Sequence, residues 1–83
     1  MEHKKEYIIP KKYTMDGKIY KLDLIESSWE EIKVFNLSVG MVIKIYNENG
    51  KRFVHPSTGD NVFIVGQTPY KDENDEWVII TSN

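Results

Sequence analysis

His55, Ser57 and Asp60 put a base, a hydroxyl and a carboxylate into one short stretch, His55-Pro56-Ser57-Thr58-Gly59-Asp60. These are the side-chain types of a hydrolytic triad, in which the base takes the hydroxyl proton and the carboxylate orients the base. A working triad draws its members from distant segments of a rigid scaffold, because neighbours in one loop rarely converge on the needed geometry. The stretch therefore reads as a turn started by Pro56, with Ser57 or Asp60 bonding the local backbone. Thr58-Gly59-Asp60-Asn61 can also turn backbone N–H groups toward a phosphate, but no lysine stands nearby in sequence to complete such a nest. Asp72, Asn74 and Glu76 have the spacing that starts a calcium loop. The sixth position, where the turn requires glycine, is Trp77, and the twelfth is Asn83 in place of glutamate. With no cysteine, and His3 far from His55 along the chain, no metal site, cofactor or enzymatic activity is expected.

The stronger candidate is a surface. Asn49-Gly50 is the favoured dipeptide of a two-residue hairpin turn, and strand-like runs flank it in Met41–Pro56. That turn predicts the pairs Glu48 with Lys51, Asn47 with Arg52, Tyr46 with Phe53, Ile45 with Val54 and Lys44 with His55. Alternation then puts Ile43, Ile45 and Val54 on one face and Lys44, Tyr46, Phe53 and His55 on the other, with Arg52 close by. Aromatic rings interleaved with basic groups suit a protein interface, where Tyr, Phe, Arg and His anchor the contact. They also suit single-stranded nucleic acid, where bases stack on rings and lysines hold phosphates. The competing expectation is that Tyr46 and Phe53 form one cross-strand pair covered by the N-terminal strand.

The elements that position this face are mostly strands. Tyr7-Ile8-Ile9, stopped by Pro10, suits an edge strand. Asp16-Gly17 predicts a hairpin pairing Tyr13 with Tyr20, followed by an alternating strand over Lys18–Ile25. Ser27-Ser28-Trp29-Glu30-Glu31 has capping-box spacing and predicts one or two helical turns near Ser28–Phe35, with a strand as the competitor because Glu31–Phe35 also alternates. Val62-Phe63-Ile64-Val65 is a continuous apolar run, read as a strand buried on both faces. Asp72–Glu76 is an acidic loop, and Trp77–Thr81 is the last strand, with Trp77 largely buried.

The fold class is accordingly mainly β: a small curved sheet of about five to six antiparallel strands with at most one short helix. The run Leu37-Ser38-Val39-Gly40-Met41-Val42-Ile43, with a later strand carrying Trp77, resembles the strand–turn pattern of SH3-like barrels. That resemblance implies an SH3-like or OB-like barrel and carries no functional residues with it.

Length and charge set outer bounds. Eighty-three residues fit one small β-rich domain over 1–83, with residues 1–6 a frayed tail. Net charge is −2. Residues 1–21 hold six lysines against three acids, a weak form of the basic arm that nucleic acids attract. The absence of cysteine and of an apolar leader or membrane span points to a cytoplasmic protein without membrane contact. The expected function is that of a non-enzymatic adaptor, inhibitor or regulatory module binding another protein through the aromatic and basic face. The alternative is a nucleic-acid-binding barrel, and edge strands near Pro10 and the C-terminus offer a route to dimers.

Overall fold

Period-two alternation divides β4 (Val42–Tyr46) between two environments: Ile43 and Ile45 are fully buried, while Val42, Lys44 and Tyr46 remain partly exposed. A computed structural model of the chain describes residues 6–83. Residues 1–5 of the expected tail, including His3, lie outside the described residues. Glu6 accepts a hydrogen bond from the Gln67 amide at 2.9 Å.

β4 lies inside an antiparallel sheet of order β3-β2-β4-β5, formed with β2 (Lys18–Asp23), β3 (Ser28–Ile32) and β5 (Phe63–Ile64). Partners across an antiparallel pair share a face, so the pairs Ile19 with Ile45 and Ile43 with Phe63 build the core side. β1 (Tyr7–Ile8) pairs with β8 (Ile80–Thr81), and β6 (Tyr70–Lys71) with β7 (Trp77–Val78). A bridge between Val65 and Thr81 joins the larger sheet to the β1–β8 pair. Two expected edges, β1 and the C-terminal strand, are thus partly used within one chain. Strand accounts for 36% of the described residues and helix for 10%, which makes the fold mainly β. The expected barrel is not closed among the described residues. β5 to β8 are only two residues each, too short to carry pairing along both edges around a circuit.

Four local expectations are corrected. First, Asn49-Gly50 does not make a two-residue turn. Asn47 N–H donates to the Lys51 carbonyl and Phe53 N–H to the Ile45 carbonyl, both at 2.8 Å, and Tyr46 is bridged to Arg52. The loop therefore holds three residues, with Gly50 at φ +81° taking up the bulge. The Asn47 side chain favours this form, since its Oδ1 accepts from the N–H groups of both Asn49 and Lys51 at 2.9 Å. The strand after the turn is slipped by one residue, and a one-residue slip exchanges its faces. Phe53 and His55 go into the core and Val54 comes out, 47% exposed.

Second, Ser28–Ile32 is strand β3, and only Val34–Asn36 forms a short 3-10 turn. Asp23 Oδ1 accepts from Ile25 and Glu26 N–H, so the chain reverses at Leu24–Ser27 and Ser27 closes the turn at φ +53° instead of capping a helix. Third, Lys11–Met15 is a single-turn helix, α1, entered through Pro10, and Asp16-Gly17 is the bend out of it rather than a hairpin turn. Gly17 is needed for space: a Cβ there would collide with the carbonyl oxygens of Tyr46 and Tyr13. Fourth, the run at Val62–Val65 is buried on one face only, since Phe63 and Val65 are enclosed while Ile64 is 42% exposed.

The core forms where these strands converge: Ile9, Ile19, Ile43, Ile45, Phe63, Val65 and Ile79, with Phe53 among them. The Phe53 ring meets Tyr13 at 4.6 Å, Phe63 at 5.4 Å and Tyr7 at 6.0 Å between centroids. Trp77 is half-buried and packs beside Phe35, outside this cluster. Helix α1 is tied to the β6–β7 hairpin by Lys11, whose ammonium donates to Asp72 and, at 3.3 Å, to Glu76. Among the described residues no helix is long and apolar enough to cross a membrane.

Candidate functional site

The face of the four-stranded sheet opposite the core carries the aromatic set. Cross-strand pairing puts Lys18 beside Tyr46 and Tyr20 beside Lys44 from β2 to β4, and Leu22 beside Trp29 from β2 to β3. Alternation from the buried Ile19, Ile43 and Ile45 leaves all six on this outer side. The Lys44 ammonium lies 4.5 Å from the centre of the Trp29 ring, 5.8 Å from Tyr20 and 5.7 Å from Tyr46. Tyr20 and Tyr46 meet edge to face at 5.6 Å. Three rings thus surround one cation, an arrangement in which ring quadrupoles attract the charge and hold a long flexible side chain in place. The residues frame a depression of about 480 Å³, with Asp16, Lys18 and Glu48 on its margin.

Of the four residues expected to share one face, Lys44 and Tyr46 are here, and Arg52, expected close by, stands opposite Tyr46 in the slipped register. The Arg52 guanidinium donates through Nε and Nη2 to the Asn61 carbonyl at 3.1 and 2.9 Å. Phe53 and His55 are in the core. Tyr7 of β1 covers this pair and not Tyr46, its ring centre lying 4.1 Å from that of His55. His55 Nδ1 accepts from the N–H groups of Ser57 and Thr58 at 3.0 and 3.2 Å, and His55 N–H donates to the Asp60 carbonyl. Ser57 and Asp60 therefore meet His55 through their main chains, and the stretch closes on itself as a loop. No group of His, Cys, Asp and Glu among the described residues could hold a metal ion.

Tyr20 and Trp29 were missed as members of this surface. Tyr20 had the right signal in the alternation of Lys18–Ile25, but its neighbour across the sheet could not be known. Trp29 lies where capping-box spacing suits a helix, and the competing alternation over Glu31–Phe35 coincides with the observed strand only at Glu31 and Ile32. No family model, curated protein or solved structure matches this chain.

Proposed function

We propose that the chain is a non-enzymatic cytoplasmic module that binds another protein through the outer face of its four-stranded sheet, in an open relative of the SH3-like frame. The observation that carries this reading is the half-exposed group Tyr20, Trp29, Tyr46 and Lys44, with charges of both signs at its margin. Large rings pre-positioned by packing lose little side-chain entropy on binding, and a polar rim around them is the usual composition of a protein contact. A polyanion is favoured less, because Asp16 and Glu48 offset Lys18 and Lys44.

The test is capture from a host lysate with and without nuclease, using the wild type beside Tyr20→Ser/Trp29→Ser, with circular dichroism to verify folding. Capture of a discrete protein that survives nuclease and is lost in the folded variant supports the reading. Capture abolished by nuclease, with a steep loss of binding as salt is raised, transfers the face to nucleic acid.

A further inference from the structure

The slipped hairpin creates a second surface, on residues the sheet face does not use. Tyr13 and Phe53 form the floor of a groove of about 370 Å³, walled by Pro10, Val54 and Pro56. Lys12, Lys51 and Arg52 line the same groove, and no carboxylate lines it among the described residues. None of these three cations belongs to an ion pair among the described residues. An apolar trough bordered only by positive charge, in a chain whose net charge is negative, is complementary to an apolar group flanked by carboxylates.

We propose that this groove docks an extended, carboxylate-bearing segment of a partner protein. An aliphatic or proline side chain sits against Pro10, Val54 and Pro56, and the flanking carboxylates meet Lys12, Lys51 and Arg52. Extended segments with a proline or aliphatic anchor recur as ligands of shallow aromatic grooves, because little backbone freedom is left to lose on binding. Arg52 is already oriented by its two bonds to the Asn61 carbonyl, which lowers the cost of fixing a planar donor for a carboxylate. A nucleic-acid strand fits the groove less well. Base stacking needs open ring faces, and Tyr13 and Phe53 are packed against each other and, for Phe53, against Phe63.

The experiment follows backbone amide shifts of the ¹⁵N-labelled full chain. The probes are an acetylated, amidated peptide, Pro-Pro-Leu-Glu-Glu-Glu, and its Pro-Pro-Leu-Lys-Lys-Lys counterpart. The expected result is saturable shifts at Tyr13, Phe53 and Val54 with the acidic peptide and binding about tenfold or more weaker with the basic one. In Lys12→Glu/Lys51→Glu, which alters two exposed side chains, that preference inverts. Equal binding of the two peptides, shifts confined to the Trp29 and Tyr46 region, or no shifts at millimolar peptide would overturn the proposal. So would tighter binding of oligothymidine at the same amides. Because Tyr20 and Trp29 take no part, loss of the sheet-face reading leaves these outcomes unchanged.

Discussion

Truncating Phe53 and Tyr46 separately tests the register that divides the aromatic set. In the structure Phe53 is 6% exposed and touches Tyr7, Tyr13 and Phe63, so Phe53→Ala opens a cavity under three rings. Such truncations cost about 3–5 kcal/mol. A chain of 83 residues has on the order of 4–12 kcal/mol in total, so this variant sits near or beyond the point of unfolding. Phe53→Leu provides the graded form, at about 1–2 kcal/mol, because most of the volume is kept. Tyr46→Ala removes one edge-to-face contact with Tyr20 and one of three rings around Lys44, from a residue still partly in water. It should cost about 1 kcal/mol. Urea unfolding followed by circular dichroism measures all three, with a constant m-value confirming comparable native states. If Tyr46 and Phe53 were instead cross-strand partners on one face, each would contribute about 0.5–1 kcal/mol and the two alanine variants would lose similar stability. Equal losses, or a larger loss for Tyr46→Ala, would refute the slipped register.

Gly17→Ala should destabilise by about 1–3 kcal/mol despite being a minimal change, because the added carbon meets two backbone carbonyls that cannot rotate away. At roughly 4–8 °C per kcal/mol, a thermal melt resolves it, and an unchanged midpoint would exclude the close approach of α1 to the Tyr46 end of β4. The Lys11–Asp72 ion pair should appear in the pH dependence of stability. Hydrogen bonding to the Lys11 ammonium, then to the N–H groups of Glu76 and Asn74, holds the Asp72 carboxyl below its ordinary value of 3.8. A folded-state value lowered in this way stabilises the fold above that pH and is lost as pH falls through the lowered value. Lys11 is held above its ordinary 10.5, first by its bond to Asp72, so its share is complete below 10.5 and fades as pH rises through the raised value. Asp72→Asn keeps an acceptor for the two backbone donors while removing the charge. Its melting temperature should lie below wild type near neutrality, and the gap should close as pH falls below 3.8 and through the lowered Asp72 value. A gap of constant size over that range would show that the pair adds nothing specific.

What the sequence made legible follows from how far apart the deciding contacts lie. The alternation in β4 specifies its own faces without help from elsewhere, and Ile43 and Ile45 are enclosed as expected. The register of the next strand depended on competition within four residues. Asn49-Gly50 favours a two-residue turn, but the Asn47 carboxamide accepts two backbone N–H groups only when the loop is one residue longer. At Ser27-Ser28 the spacing to Glu30 and Glu31 suits a helix cap. Asp23, four residues upstream of Ser27, had already committed its Oδ1 to the turn that returns the chain as β3. Asp16-Gly17 has hairpin chemistry, but Gly17 is fixed by the absence of a side chain beside the Tyr46 carbonyl, a contact no local pattern reveals.

The same slip explains why the candidate surfaces look different from what spacing alone implies. With Phe53 and His55 turned inward, Lys44 has no aromatic partner on the strand that follows the turn. Its rings come instead from Tyr20 on β2, Trp29 on β3 and Tyr46 on its own strand. These belong to three strands brought side by side by the β3-β2-β4 order, so the site is a product of topology and not of a motif. The inward turn also leaves Val54 exposed, where it lines the groove together with Pro10, Pro56, Lys51 and Arg52. One extra loop residue thus separates a single expected face into two surfaces of different chemistry. The first is a cation among rings with a mixed-charge margin, and the second an apolar groove bordered by positive charge. A module with both can hold one partner by two contacts, in which case binding through one raises the effective concentration at the other. Combining Trp29→Ser with Lys12→Glu/Lys51→Glu should then weaken such a partner by more than either set alone.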